Sequence, residues 1–209
     1  MSQLAAGDIE AWVRVLSFLP IVLCSVVGFG MTLWKWQQLR RPFLPSPASL
    51  ARLYEALDAD DLGEAHALVR SDGSRASRIV GSLLPLAGRS SARLDARAAQ
   101  AGAEVARELE YGLGALGLIA TLGPLFGLFG TVVGITVVFN RLAASAGLSS
   151  PHELAGGIGT ALHTTIAGLI VGVLALVFQR YFSARVESLV GELETLATDS
   201  VERLSRRDE

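Results

Sequence analysis

The longest apolar stretches of this 209-residue chain almost entirely lack charge. No Asp, Glu, Lys or Arg lies in 15–34, 113–139 or 154–179, and His163 is the one titratable side chain of the third stretch. As an α-helix with a rise of about 1.5 Å per residue, each stretch would be roughly 30 Å long or more, which is the thickness of a bilayer's hydrocarbon core. With 51% hydrophobic and 18% charged residues, the composition excludes an ordinary soluble domain.

Cysteine is scarce as well. Cys24 is the single cysteine, so the chain has no internal disulfide, and we interpret this residue as a small packing side chain. The sequence has no phosphate-binding loop, no Cys/His cluster with metal-ligand spacing and no nucleophile–base pair. We therefore expect no enzymatic activity, no metal, no cofactor and no nucleic-acid partner.

The basic residues are distributed asymmetrically along the chain. Of 18 Lys and Arg, only Arg14 and Arg141 lie in the N-terminal tail or in the loop between the second and third stretches. Because basic residues favour the cytoplasmic side, we predict an all-α membrane protein with its N-terminus outside and its C-terminus inside. The acidic residues before the first stretch, Asp8 and Glu10, and the lack of a small-residue cleavage site indicate an anchor that is not cleaved.

This topology predicts seven segments. They are a periplasmic N-terminus (1–14), transmembrane helix 1 (15–34), a cytoplasmic helical region (35–112), transmembrane helix 2 (113–139), a periplasmic loop (140–153), transmembrane helix 3 (154–179) and a cytoplasmic C-terminal helix (180–209).

Helix signals also occur outside the apolar stretches. Ser46 or Ser49, and then Asp60 or Asp61, are predicted to cap two short helices. Apolar residues with helical spacing predict two very long helices, at about 91–140 and 153–204. Their apolar stripes need a covering surface, and we expect copies of the chain to provide it; packing against the helices of 48–84 is the alternative.

Small and hydroxyl side chains interrupt the second and third stretches. A small-residue surface for helix packing is predicted from Gly123, Gly127, Gly130 and Gly134 in one stretch and Gly168 and Gly172 in the other. Pro124 removes one backbone hydrogen bond and is predicted to bend its helix. Thr131, Thr160 and Thr165 are predicted to face a pore or a partner, because hydroxyl groups in hydrocarbon need polar neighbours.

Two neighbouring side chains allow more than one interpretation. Thr164 fits a pore position or a contact between subunits. The pKa of a histidine side chain normally lies near physiological pH, so His163 fits a proton relay. We favour a neutral imidazole bonded to a neighbouring helix or near the outer interface, because His163 lies off the Thr–Gly face.

The motifs Gly127-Leu-Phe-Gly-Thr-Val-Val-Gly-Ile135 and Gly159-Thr-Ala-Leu-His-Thr-Thr-Ile-Ala-Gly-Leu169, in this order and topology, resemble the MotA/TolQ/ExbB proton-channel family, in its ExbB/TolQ branch. The resemblance implies a homopentameric ring in the bacterial inner membrane. It also implies an ExbD/TolR-like single-span partner whose membrane Asp carries protons, and a TonB- or TolA-like protein beyond it. Thr131 and Thr165 match the family's pore threonines, whereas many members have Glu in place of Thr160.

The resemblance predicts a proton-channel subunit that uses the proton-motive force for import or envelope maintenance. The chain has no carboxylate in its second or third stretch, so the partner must supply the acid. The alternative is an oligomeric membrane scaffold that conducts nothing.

Overall fold

The computed structural model describes residues 2–40, 42–144 and 151–206, and all of its regular elements are helices. In chain order they are α1 (Ser2–Arg40), α2 (Pro47–Asp58), α3 (Leu62–Asp72), α4 (Arg75–Leu83), a 3-10 turn (Leu84–Leu86), α5 (Ser91–Glu110), α6 (Leu113–Ala144) and α7 (Pro151–Ser205). Three of these helices contain segments long and apolar enough to cross a membrane.

The chain divides into two compact units. The apolar unit comprises the chain up to Lys35 together with Gly112–Tyr181, and the charged unit comprises Trp36–Tyr111 together with the chain from Phe182 onward. Helices α1 and α7 contribute residues to both units.

The apolar unit is built from α1, α6 and the first half of α7. One buried side chain from each helix, Cys24, Ile119 and Ala175, forms its core, with Phe126 and Val171 packed against them. Gly28 of α1 faces Ile119, where an added Cβ would make ordinary van der Waals contact at 3.6 Å. Cys24 therefore has the packing position that its apolar context indicates.

Caps fix where the short helices of the charged unit begin. The Ser46 side chain accepts a hydrogen bond from the backbone N–H of Ser49 and begins α2, while Asp61 accepts from the N–H of Glu64 and begins α3. Each cap supplies a partner for an N–H group that has none within its helix. Of the alternatives that the sequence left open, Ser46 and Asp61 are the caps.

The apolar stripes of the two long predicted helices are already covered in the single chain. On α5 the buried side chains are Leu94, Ala98, Ala101, Val105 and Leu109, and on α7 they include Val186, Leu189, Leu193, Leu196, Val201 and Leu204. Leu53 and Leu57 of α2 and Ile79, Val80 and Leu83 of α4 are buried in the same unit. The expectation that these stripes need copies of the chain to cover them is wrong, because the short helices supply that surface.

Polar contacts join α2 to the C-terminal part of α7. The Tyr54 hydroxyl donates a hydrogen bond to Asp199, at 3.3 Å. Arg203 forms an ion pair with Asp58, and its guanidinium lies 4.4 Å from the centre of the Tyr54 ring. These contacts hold α2 on α7, where the sequence offered only apolar periodicity.

The predicted straight helix of 91–140 is interrupted. α5 ends at Glu110, Tyr111 has an extended backbone (φ -52°, ψ 130°), and α6 begins at Leu113. Gly112 between them has φ +87°, in the left-handed region that glycine tolerates best. The expectation of one continuous helix is therefore wrong, and Gly112 is the local reason.

The helices extend well beyond the apolar stretches. α1 runs over 2–40, whereas the hydropathy of the sequence predicted a membrane segment over 15–34 only. α6 and α7 likewise extend into the two ends of the predicted loop of 140–153. The rest of that loop, 145–150, lies outside the described residues. The apolar stretches thus mark the part of each helix that can lie in hydrocarbon, not its ends.

Candidate functional site

The site begins with a very close contact between α6 and α7. A Cβ added at Gly127 would lie 2.9 Å from the carbonyl oxygen of Thr164 and 3.0 Å from the Cα of Thr165. One added at Gly168 would lie 2.5 Å from the carbonyl oxygen of Gly123. The two backbones approach so closely because no side chain separates them, which is how small residues bring membrane helices together.

The contact continues on both sides of this point. An added Cβ at Gly130 would lie 2.7 Å from the Thr164 hydroxyl oxygen, and one at Gly134 would lie 2.7 Å from the Cβ of Ala161. At the other end, a Cβ on Gly172 would lie 2.5 Å from the Cδ of Pro124. All six glycines predicted to pack helices lie at this contact, and we call it the α6–α7 seam.

Pro124 lies within the seam without ending its helix. α6 runs from Leu113 to Ala144 through this residue. Because proline has no N–H, it cannot donate the usual helical hydrogen bond to the carbonyl of Ala120. That oxygen faces α7, since a Cβ on Gly172 would lie 3.0 Å from it.

Three threonine hydroxyls converge at the middle of the seam. Those of Thr131, Thr164 and Thr165 each lie 3.1 Å from the carbonyl oxygen of Gly127. The hydroxyls of Thr131 and Thr165 also hydrogen-bond each other across the two helices. We call these three side chains and the Gly127 carbonyl the threonine cluster.

The threonine cluster has more hydrogen-bond acceptors than protons. Each hydroxyl has one proton to donate, and a carbonyl oxygen has two lone pairs to accept with. Thr164 can donate to the carbonyl of Ala161 at 2.7 Å instead of to Gly127. The hydroxyls can therefore exchange partners by rotation alone, without any movement of the backbone.

The cluster is shielded to different degrees. Thr131 and Thr164 are 8% and 4% exposed, whereas Thr165 is half-buried. No Asp, Glu, Lys or Arg occurs in the surrounding stretches, and the exposed His163 lies outside the cluster. Hydroxyl groups so far from water favour hydrogen bonds with one another and with backbone carbonyls over contact with hydrocarbon.

Thr160 and His163 do not join the cluster. Thr160 is exposed and donates to the carbonyl of Gly156, one turn back in its own helix, at 2.9 Å. His163 is exposed on the same helix. The spacing of four residues placed Thr160 on the face of Thr164, but the positions of α7 that contact α6 include 157, 161, 164, 168 and 172. That pattern averages fewer than four residues, so the contact face has moved from Thr160 to Ala161.

Gln179 is a polar residue of the seam that the sequence reasoning did not single out. Its side chain lies over Gly117 of α6, where an added Cβ would be 3.8 Å from its Nε2 atom. The available signal was its spacing of seven residues from Gly172, which itself lies seven residues after Thr165.

Three long apolar helices, two of them joined along a glycine seam with a central threonine cluster, define a multi-pass membrane protein. The model of the MotA/TolQ/ExbB proton channel family matches residues 73–195. Since this is more than half of the chain, the chain belongs to that family.

The curated relatives that the chain matches include proteins named ExbB and a protein named TolQ. The chain is 37% identical over 91 residues to the biopolymer transport protein exbB1 of Vibrio cholerae, covering 44% of this chain and 40% of that protein. It is 38% identical over 100 residues to the Tol-Pal system protein TolQ of Pseudomonas aeruginosa, covering 48% of this chain and 43% of that protein.

A longer and weaker alignment covers more of the chain. It is 26% identical over 177 residues to the putative biopolymer transport protein ExbB homolog of Methanothermobacter thermautotrophicus, covering 84% of this chain and 62% of that protein. The chain therefore spans between 40% and 62% of these three relatives.

Proposed function

We propose that this chain is a proton-channel subunit of an energy-transducing complex in the bacterial inner membrane, acting with an ExbD/TolR-like single-span partner. The observation that carries the proposal is the threonine cluster. Three hydroxyls share one carbonyl at the contact of two helices, and large apolar side chains such as Leu128, Phe129 and Val132 are exposed beside them. Membership of the proton channel family supports the same function.

The cost of polar groups in hydrocarbon supports a role in transport. The seam needs only small residues to pack, and Ala or Gly would serve that purpose at the positions of the three threonines. Polar side chains inside a membrane usually mark an interface or a path, because an apolar residue would avoid the desolvation cost. Thr131, Thr165 and the exposed Thr160 are the residues that we assign to the path.

The partner must supply the acid. The second and third apolar stretches have no Asp or Glu, and a threonine hydroxyl does not titrate near neutral pH. A carboxylate on a partner helix could accept a proton from the periplasmic side and pass it on through hydroxyl groups and water. Protonation lowers the cost of burying that carboxylate against apolar side chains, so each cycle would change which position the partner helix prefers.

Copies of the chain would form the wall around the partner. Large apolar side chains on both helices of the seam face away from it, among them Leu128, Phe129 and Val132 of α6 and Ile166 and Ile170 of α7. Lipid and neighbouring copies are the two surfaces that can cover them. A ring of five is the assembly that the family resemblance implies.

The energy available per proton sets a limit on the mechanism. One proton crossing 100 mV releases about 2.3 kcal/mol. That is enough to bias the partner toward one of several similar positions in the ring, but not enough to break a packed helix interface. We therefore propose that the seam stays closed during the cycle and that the partner helix moves along the wall.

The predicted orientation assigns each end of the seam to one side of the membrane. With the N-terminus in the periplasm, the end of the seam at Gly134 and Ala161 is periplasmic and the end at Gly117 and Gln179 is cytoplasmic. Relatives named ExbB and TolQ occur together among the matches, so the complex would drive a TonB- or TolA-like protein at the cell envelope.

A non-conducting scaffold is the second candidate. The observation that favours it is that all three hydroxyls of the cluster find partners within one chain. In that case the cluster would only lock α6 to α7. The two functions differ in what happens when the hydroxyl groups are replaced by methyl groups of the same shape.

The test is proton flux through the purified complex. The chain is co-expressed with the neighbouring single-span protein, reconstituted into liposomes and driven by a potassium-diffusion potential, with a pH-sensitive dye inside. The doubly substituted protein Thr131→Val/Thr165→Val is compared with Thr136→Val. Thr136 is the matched control, since it is exposed on α6 and donates only to the carbonyl of Val132 in its own helix.

We expect the double substitution to reduce flux by at least about tenfold, the effect of 1.4 kcal/mol on a rate, and Thr136→Val to leave it unchanged. Flux that survives the double substitution in a correctly assembled complex would refute the path and favour the scaffold. A complex of the unsubstituted chain that conducts no protons would refute the proposed function as a whole.

A further inference from the structure

We infer that the groove between α5 and the C-terminal part of α7 is a docking surface for a second copy of this chain, which inserts a basic face of its own α5. The inference rests on the proposed function, because that function requires copies of the chain to assemble into a wall. The groove lies within the charged unit and has a volume of about 600 Å³. Ala99, Ala103 and Thr198 line it and are exposed, so it is open beside the buried stripes that the short helices cover.

Small side chains form most of the α5 wall of the groove. Between 98 and 106, every residue of α5 that lines the groove is Ala or Gly, and an added Cβ at Gly102 would meet no heavy atom within 4 Å. The wall that α7 provides includes the apolar residues Val190, Leu193 and Val201. Because side chains of α5 are so short here, a third helix can approach it closely and contact both walls.

The ionisable side chains that line the groove, Asp95 and Glu194, are both acidic. Glu187 extends this acidic surface, because it precedes Glu194 by seven residues and so lies on the same face of α7. All three carboxylates are exposed, and none forms an ion pair among the residues that the structure describes. The groove therefore favours an occupant with basic side chains at its edges.

The chain carries a matching basic surface on α5. Arg93, Gln100 and Arg107 are exposed and follow one another at intervals of seven residues, so they form one line along the helix. Within the described part of the chain neither arginine forms an ion pair, and Arg107 donates to the carbonyl of Ala103 in its own helix at 3.2 Å. None of the three residues lines the groove, and we call them the arginine line.

The groove and the arginine line point in different directions. Gln100, in the middle of the arginine line, is about 100° around α5 from Ala99 of the groove. One copy can therefore insert its arginine line into a neighbour's groove while its own groove receives the next copy. Such a contact between two different surfaces is heterologous, and it closes into a ring when the rotation from copy to copy allows it. The apolar walls would supply most of the binding, since exposed ion pairs contribute little, and the charges would fix which surfaces meet.

The first test is cysteine crosslinking between copies in membranes that contain the co-expressed single-span protein. Cys24 is replaced by Ala, so that only introduced cysteines react. One chain carries Thr198→Cys in the groove, and a second chain with a different tag carries Gln100→Cys on the arginine line. Thr195→Cys is the matched control, because Thr195 and Thr198 are both exposed on α7 and donate to carbonyls of their own helix, but only Thr198 lines the groove.

We expect a short bifunctional maleimide to join the two tagged chains through Thr198→Cys and Gln100→Cys. The same reagent should give no such product when Thr195→Cys replaces Thr198→Cys. Because the two cysteines are on separately tagged chains, a product that carries both tags can arise only between copies.

The second test reverses the charges of the two surfaces. Asp95→Arg/Glu194→Arg reverses the groove, and each contact then sets like charges against each other. Arg93→Glu/Arg107→Glu does the same from the arginine line. We expect either pair to lower the yield of the crosslinked product by about fivefold, the effect of roughly 1 kcal/mol on association, and a chain with both surfaces reversed to regain it. Glu192→Arg should leave the yield unchanged, since Glu192 is exposed on α7 but does not line the groove.

A product that joins Thr198→Cys to the single-span protein would assign the groove to that protein and overturn the inference. So would an equal yield from Thr195→Cys, or a chain with both surfaces reversed that does not regain the product. The proposed function would still stand after any of these results if the unsubstituted complex conducts protons. A complex that conducts no protons although its copies are joined through the groove would refute the proposed function and leave the docking surface standing.

Discussion

The hydroxyl of Thr131 on α6 hydrogen-bonds the hydroxyl of Thr165 on α7, and both also reach the carbonyl of Gly127. This relationship predicts energetic coupling between the two residues. Each single change to Val should lower the free energy of unfolding by about 0.6 kcal/mol, the average for such bonds between membrane helices. The double change should cost clearly less than the sum, because each single change already removes their shared bond.

The measurement is a double-mutant cycle on the purified chain, unfolded by SDS in mixed micelles. Thr131 and Thr136 form the control pair, since Thr136 donates only to its own helix, and their effects should add within about 0.3 kcal/mol. Strict additivity for Thr131 and Thr165 would show that their hydroxyls do not interact.

Gly168 should be intolerant of even one methyl group. A Cβ there would lie 2.5 Å from the carbonyl oxygen of Gly123 and 2.8 Å from the Cα of Gly127. Both of these atoms are backbone, so the helices must move apart, and we expect Gly168→Ala to lower the free energy of unfolding by about 1–3 kcal/mol. The loss should appear as a lower melting temperature in detergent.

Gly159→Ala is the matched control for that change. It lies on the same helix with no heavy atom within 4 Å of its Cβ position, so Ala should be neutral or stabilise by up to about 1 kcal/mol through its higher helix propensity. Equal melting temperatures for the two variants would contradict the close approach at Gly168.

The seam shows how far residue spacing can predict a site. Small residues in two apolar stretches predicted which helices pack, because few other contacts are available to helices in a membrane. Spacing alone placed Thr160 beside Thr164, whereas α7 contacts α6 through Ala161 and Thr164. The contact period of a helix pair depends on how the two helices cross, which is a property of the pair and is not contained in either sequence segment.

The charged unit shows a different limit. The caps Ser46 and Asp61 could be predicted because an N-cap is local chemistry within four residues. The surface that covers the apolar stripe of α5 could not be predicted in the same way. Apolar periodicity identifies a helix face that needs burial, but it does not identify which residues bury it. The prediction of one straight helix through Tyr111 was wrong, because residues with high helix propensity continue across this region. The break depends instead on the positive φ of Gly112.

The break before α6 predicts that Gly112 resists substitution. Its φ of +87° costs an L-residue about 1–2 kcal/mol, and an added Cβ would lie 2.8 Å from Met31 Cε and 3.1 Å from Trp34 Cζ3. We expect Gly112→Ala to lower the free energy of unfolding by about that amount. Adding Met31→Ala should relieve only the contact with Met31, because the contact with Trp34 and the backbone strain both remain in the double variant.

Gly114→Ala is the control for the break. Gly114 is in the first turn of α6 with no heavy atom within 4 Å of its Cβ position, so Ala should cost nothing there. If Gly112→Ala and Gly114→Ala unfolded alike in SDS titration, α5 and α6 would form the continuous helix that the sequence first indicated.

The turn between α3 and α4 predicts a pH dependence of stability. Asp72 Oδ2 accepts hydrogen bonds from the Ser74 N–H at 3.2 Å and the Ser77 hydroxyl at 2.6 Å. Burial acts to raise the pKa of Asp72, but these hydrogen bonds outweigh it and hold the pKa below its ordinary value of 3.8. The folded chain therefore binds this proton less readily than the unfolded chain does.

This difference in proton binding sets the sign of the pH dependence of stability. The stabilisation by ionised Asp72 is fully present above pH 3.8 and is lost as the pH falls from there through the lower folded-state pKa. Asp72→Asn keeps an oxygen acceptor but cannot titrate, so its free energy of unfolding should fall less steeply over that window, by under about 1 kcal/mol in total. Ser77→Ala, which removes one donor and keeps the carboxyl, should reduce the slope without abolishing it. Chemical unfolding of the purified chain from pH 6 downward, with about one pH unit between points, measures the slope of the free energy of unfolding against pH for all three proteins. An equal slope for Asp72→Asn and the unsubstituted chain would show that these hydrogen bonds do not favour the ionised carboxyl.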